Sequence, residues 1–245
     1  MKRFRLATTL FVTLFTSSLA IADYQKGDFI VRVGAAAVDP NDDSDNLRLN
    51  GSVLPDTRVY VDTGYSLSFT GTWLFADHWG LGLLAALPFK HKLKVSGLPG
   101  PDTGGTSRAS APGDIKHLPP TLTLQWYPVC TESWVQPYIG IGVNYTHFLS
   151  EHINRTAQNY FEAVLGAESQ ARLKLDDSWG LAGEVGIDIA FSRDNRWLFN
   201  AAIWYLDIDT DANIRFCTGT RGISRINVDV DIDPFVYSVG IGYHF

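Results

Sequence analysis

Several things are scarce in this 245-residue sequence, and each scarcity closes off a class of protein. Beyond the N-terminal segment no stretch holds 18 uninterrupted apolar residues, so no later helix can be apolar for the length a bilayer demands. Basic residues are outnumbered, with 20 Lys+Arg against 26 Asp+Glu and a formal net charge of −6, which argues against nucleic acid as a partner. No low-complexity linker or proline-rich hinge divides the chain, so one domain is expected. No nucleophile arrangement and no tight metal-ligand spacing is written, so neither catalysis nor a metal or cofactor is expected. Only two cysteines are present, Cys130 and Cys217. In an oxidising compartment that count alone suggests a disulfide, a point that topology decides below.

What is present begins with an export signal. Lys2, Arg3 and Arg5 precede an apolar run from Leu6 to about Leu19, then Ala20-Ile21-Ala22 and the polar Asp23-Tyr24-Gln25. That order is a secretory signal peptide over residues 1–22, too short and too interrupted by Ser and Thr to be a spanning helix. Cleavage after Ala22 removes three basic and no acidic residues, taking the net charge to −9.

The mature region, 23–245, is dominated by period-two alternation, the mark of strands. At the C-terminus Phe235, Tyr237, Val239, Ile241, Tyr243 and Phe245 alternate with Ser238, Gly240, Gly242 and His244. The same design recurs in 59–75, 79–87, 135–145 and 179–191. A soluble sandwich would turn its large apolar face inward and its charges outward. Here the minority face is Gly, Ser, Ala and Thr, which suits the crowded interior of a narrow barrel whose large residues face lipid. The connections alternate in length. Short ones fall at Ala76-Asp77-His78, around Cys130 to Ser133, and at Arg193-Asp194-Asn195. Long ones run from Asp39 to Arg58, Ser96 to Lys116, Glu151 to Lys174 and near Cys217 to Gly222. This predicts an all-β, eight-stranded antiparallel transmembrane barrel with long extracellular loops and short periplasmic turns. In the third long loop the spacing of Tyr160, Phe161, Val164 and Leu165 predicts a short amphipathic helix. Cys130 then sits at one end of a barrel about 25 Å tall and Cys217 at the other, beyond the roughly 7 Å a disulfide spans, so both thiols should be free.

Several motifs make the chain resemble the outer membrane protein W (OmpW) family over nearly its whole mature length. They are Leu87-Pro88-Phe89-Lys90-His91, His117-Leu118-Pro119-Pro120-Thr121, Gln125-Trp126-Tyr127, Pro137-Tyr138-Ile139-Gly140, Asp177-Ser178-Trp179-Gly180 and Trp204-Tyr205-Leu206-Asp207-Ile208-Asp209-Thr210. The ending that includes Gly240, Tyr243 and Phe245 resembles the terminal signal read by the outer-membrane assembly machinery. The resemblance implies a bacterial outer-membrane location and an eight-stranded barrel with an unusually apolar interior, associated with passage of small hydrophobic molecules. The first and second loops are longer than that pattern, and the two cysteines depart from it.

Site residues follow from where the alternation changes meaning. Outward parity on the seventh strand runs Trp197 to Tyr205 and then Asp207, Asp209 and Asp211, and on the eighth Asp229, Asp231 and Asp233 precede Phe235 and Tyr237. The opposite parity carries Leu206, Ile208, Val228, Val230 and Ile232. Above the lipid the wall thus reads as acidic outside and apolar inside, a funnel for an apolar ligand or else a solid plug beneath the loops. Phe148 and Tyr138 are further lining residues. Leu84 and Trp204 are large apolar side chains on otherwise small faces and either form a constriction or fill the core. Arg32, Glu184 and Asp188 share inward parity, where unpaired charge is costly, so an internal ion pair is expected. His91, His117, His147 and His152 fall near the outer rim among acids, a weak signal for a metal or acid–base site.

The function read from this is passive uptake of small hydrophobic molecules past the lipopolysaccharide layer into the bilayer, with Pro119 and Pro120 weakening the wall. The alternative is a structural or surface-interaction barrel with a sealed lumen. Oligomeric state stays open, because a continuous apolar outer face suits lipid and protein contact alike.

Overall fold

The computed structural model describes residues 24–98, 113–192, 196–219 and 222–245. The expected signal peptide and the expected turn Arg193-Asp194-Asn195 lie outside the described residues. The first long strand, β1 (Phe29–Asp39), is followed by β2 (Asp43–Ser44), β3 (Arg48–Leu49), β4 (Ser52–Val53) and β5 (Arg58–Val61). Next come β6 (Gly64–Ala76), β7 (Trp79–Ala86), β8 (Phe89–Ser96), β9 (Gly113–Leu118), β10 (Thr121–Trp126) and β11 (Val135–Ile153). After helix α1 (Arg155–Leu165) the chain continues as β12 (Arg172–Leu175), β13 (Ser178–Ala190), β14 (Trp197–Leu206), β15 (Asp209–Thr218), β16 (Gly222–Asp231) and β17 (Phe235–His244).

Eight of these strands close antiparallel in the order β1, β6, β7, β10, β11, β13, β14, β17 and back to β1. Hydrocarbon offers no partner for backbone N–H and C=O, so only a closed sheet satisfies it there. The alternation then sorts itself by size. Val33, Leu67, Phe69, Leu83, Ile141 and Val239 are exposed on the outer face, while Ser68, Thr72, Thr123 and Asn200 are buried within. Aromatic residues frame the apolar band: Trp73, Trp79, Trp126, Trp197 and Phe245 lie toward the end that carries the short turns, and Tyr65, Trp179, Tyr205 and Phe235 toward the other.

Above that band the wall continues as two sheets, β5-β8-β9-β11 and β12-β15-β16-β3-β4, with β2 also pairing to β16. The upward continuation is interrupted on one side. Between the third and fourth staves the ladder ends at Leu84↔Thr121 and resumes at Phe89↔His117. Residues 85–88 and 118–120 lie between, and Pro88, Pro119 and Pro120 have no N–H for a ladder. Their other sides stay paired, Ala85 to Phe69 and the Pro120 carbonyl to Tyr145 N at 3.0 Å.

Helix α1 forms where the spacing predicts it. Asn154 caps its start by accepting from Ala157 N (3.0 Å), and Gly166 ends it at φ 67°, a left-handed conformation that a Cβ disfavours. Its apolar face, Ala157 and Phe161, is buried, and Phe161 stacks on Phe216 with centroids 5.6 Å apart. Cys130 and Cys217 are both free and exposed, one in the turn before β11 and the other in β15.

Candidate functional site

The lower lumen is a hydrogen-bonded polar layer. Arg32 on β1 meets Asp188 on β13 through both ends of its guanidinium, Nε to Oδ1 at 2.8 Å and Nη2 to Oδ2. Asp188 also accepts from Tyr24 Oη (2.9 Å) and Asn200 Nδ2 (2.9 Å). Arg32 Nη1 donates to Thr72, whose hydroxyl donates in turn to Gln125 Oε1 (3.0 Å). The expectation of one ion pair is corrected for Glu184. Its carboxylate accepts from Thr123 (2.8 Å) and Gln125 (2.9 Å), and it is joined to Arg32 through Gln125 and Thr72. Tyr138 is corrected as well. It lines no funnel but belongs to this layer, with its ring 5.2 Å from the Arg32 guanidinium and its hydroxyl accepting from Asn200 (3.1 Å). A Cβ at Gly186 would stand 2.3 Å from that ring, which explains a glycine opposite Tyr138. Tyr24, fully buried, closes the layer from below by packing on Tyr127 with centroids 5.3 Å apart.

Above the polar layer Leu84 and Trp204 are inward and buried, in one cluster with Leu206, Ile208, Phe148, Val230 and Ile232. The expected funnel lining is therefore largely packed core at this height. Open space begins higher. A small apolar chamber is bounded by Leu47, Val59, Leu93, Val95, Phe161 and Ile226, among others, and of the predicted lining residues it includes Val228 alone. Every lining residue is apolar or glycine. Sequence reasoning missed most of this wall for a structural reason. Leu47 belongs to a long loop and reaches the chamber only because β2 and β3 dock on β16. Gly113 lies in the 96–116 segment taken as loop, and Leu93 and Val95 lie between the strand expected to end at Leu87 and that loop; all three in fact extend the third and fourth staves. The signal that would have found them is the alternation of Phe89, His91, Leu93 and Val95.

The outer surface around the chamber is acidic, as the parity of the seventh and eighth strands implied. Asp209, Asp211, Asp229 and Asp231 are exposed opposite buried Ile208, Thr210, Val228 and Val230. Burial against neighbours and the adjacent Asp231 and Asp207 raise the Asp209 carboxyl above its usual value. The four histidines do not form one rim cluster. His147 is exposed and pairs with Asp177 at 2.9 Å, and hydrogen bonds from Tyr145 and His147 hold that carboxyl low. His152 is exposed, whereas His91 and His117 are buried inside the wall.

At the C-terminus, Gly240 pairs with Gly34 across β17 and β1, and a Cβ there would lie 2.4 Å from the Val33 carbonyl oxygen. Tyr243 packs against Trp197 and Phe245, and Phe245 N donates to Phe29 O (2.9 Å).

A closed eight-stranded antiparallel sheet with an apolar outer band, aromatic borders and a polar inner layer is an outer-membrane β-barrel. The profile of the OmpW family matches residues 25–245, and the chain belongs to that family. It is 38% identical over 229 residues to outer membrane protein W of Vibrio cholerae, covering 94% of each chain. The crystal structure of OprG from Pseudomonas aeruginosa aligns with a TM-score of 0.78 at 44% identity, over 92% of this chain and 99% of that one. DoxH of a Pseudomonas species, named as a dibenzothiophene metabolism operon protein, is 29% identical over 205 residues, 83% of this chain and 82% of its own. Outer membrane protein W and OprG are bacterial outer-membrane proteins, and the outer membrane is where this chain resides.

Proposed function

We propose that this barrel gives small hydrophobic molecules a passive route past the lipopolysaccharide layer. They enter the apolar chamber and leave sideways into the bilayer where the wall is interrupted at 85–88 and 118–120. One observation carries the reading: above the lipid-facing band, where anchoring needs no apolar interior, the barrel keeps one beneath an acidic exterior. A ligand that buries about 200 Å² of apolar surface there gains about 5 kcal/mol, without nucleotide or metal. Leu84 and Trp204 set the floor of the path, Leu206, Ile208, Phe148, Val230 and Ile232 pack around it, and the Arg32–Asp188 layer blocks direct passage to the periplasm. Lateral exit fits that blocked lumen. The name of the dibenzothiophene-operon relative supports an apolar cargo. Gly240, Tyr243 and Phe245 are proposed as the segment that the outer-membrane assembly machinery reads.

The test is uptake of naphthalene by cells lacking other such barrels, at matched surface expression. Wild type should raise the rate several-fold over cells without the protein, Leu93→Arg should return it to that baseline, and Trp204→Ala should alter it. Equal rates in all of them would abandon uptake in favour of a sealed surface-interaction barrel.

A further inference from the structure

The uptake route assigns no part to two buried histidines. His91 on β8 and His117 on β9 stack with ring centroids 4.8 Å apart, and His117 is flanked by Phe89 and Phe148 at 5.8 and 6.0 Å. They lie extracellular to the lipid band, because His91 bonds to Asp62, beyond the outer end of β6. They also lie between the chamber and the interrupted wall. Leu93 and Gly113, which line the chamber, are the next inward residues above His91 and Ile115, and His117 is in the first rung above the break. The His91 ring fits against the neighbouring stave β6 only because Gly64 has no side chain, since a Cβ there would stand 2.5 Å from the ring.

The nitrogens can be assigned roles. His91 Nδ1 lies 2.6 Å from the Asp62 carbonyl oxygen. A carbonyl only accepts, so Nδ1 carries the proton and Nε2 of the neutral ring is a bare acceptor. Burial disfavours protonation of both rings. A neutral His117 offers one donor and one acceptor. Nε2 of His91 and both ring nitrogens of His117 have no hydrogen-bond partner among the described residues. Orphaned polar atoms at this depth are uncommon and costly in folded proteins. A hydrocarbon passing here leaves all three unpaired, and a carboxylate anion lacks the proton that His91 Nε2 needs.

We propose that the His91–His117 pair is a recognition site for the hydroxyl group of an apolar alcohol or phenol, its O–H donating to His91 Nε2 and its oxygen accepting from the His117 N–H. The site deepens the uptake reading and rests on it: it makes the route selective for hydroxylated apolar molecules over bare hydrocarbons of the same shape.

The experiment compares 1-naphthol with naphthalene binding to the purified full-length barrel in bilayer nanodiscs, for wild type, His117→Phe and His91→Phe. Taking the ratio of the two affinities in each protein removes the probes' different partition into lipid. Wild type should show a naphthol preference about five- to tenfold above that of either variant, with naphthalene affinity little changed. In parallel, the imidazole nitrogen NMR signals of wild type should shift on adding 1-naphthol and stay in place with naphthalene, a readout that needs no variant to fold. Equal ratios in all three proteins, or saturable naphthol binding with unmoved imidazole signals, would overturn the hydroxyl site while leaving the uptake reading intact. Binding of neither probe would overturn both.

Discussion

The two halves of this barrel are built from the same strands and yet invert each other. Within the lipid band the outer face is apolar and the lumen is crossed by Arg32, Asp188, Glu184, Gln125 and Asn200. Above it the outer face carries Asp209, Asp211, Asp229 and Asp231, and the interior is a chamber of Leu, Val, Ile and Phe. The solvent on the outside changes from hydrocarbon to water along a single strand, and the parity of large and charged residues changes with it. The inside does not have to follow. The lower half fills its interior with a hydrogen-bonded polar network, and the upper half lines its interior with apolar side chains around a cavity, which is a property of binding sites.

The largest expected effect falls on the lower half. Asp188→Ala strands the buried Arg32 guanidinium and should cost about 3–5 kcal/mol of stability, whereas Arg32→Met with Asp188→Leu should recover most of it. Denaturant unfolding of the refolded barrel measures both, and equal stability of Asp188→Ala and wild type would remove the contrast between the halves.

In the upper half the next effect is pH-dependent. Burial, and then the neighbouring His91, hold the His117 imidazole down to about 3 from an ordinary 6.5. Its folded pKa lies below its unfolded one, so between about pH 6.5 and 3 the unfolded chain binds a proton that the folded chain refuses. Stability is unaffected above that window and falls as pH drops through it, by about 1.4 kcal/mol per pH unit. His117→Phe should flatten the dependence, and an unchanged slope in unfolding curves between pH 6.5 and 4 would place His117 in water.

A smaller effect sits at the chamber roof. Asn154→Ala removes the cap on α1 and should cost about 1 kcal/mol, seen as faster amide exchange over 155–165 with the barrel strands unaltered. The smallest is nil: unreduced protein should carry both thiols, and a mass lower by two hydrogens would place Cys130 and Cys217 in a disulfide that the barrel's height forbids.

Much of this was legible beforehand, for a reason that particular residues make plain. Ser238, Gly240 and Gly242 could only be inward if Val239, Ile241 and Tyr243 faced lipid, and one register error would have exposed every polar side chain on the strand. Arg32 and Asp188 were legible by the same parity. The chamber was not, since Leu47, Leu98 and Phe161 come from connections that carry no period-two signal, and Tyr138 was placed on the correct face but at the wrong height.

By itself the sequence determined the eight strands of the barrel, the facing of the residues that alternate along them and the free state of the cysteines, because alternation against lipid is a local constraint written every second residue. The tertiary structure decided which inward residues meet. Closure of the sheet sets heights between strands far apart in the chain, and that alone gave Asp188 rather than Glu184 to Arg32, docked a loop strand on β16 to wall the chamber, and stacked two histidines beside a broken ladder.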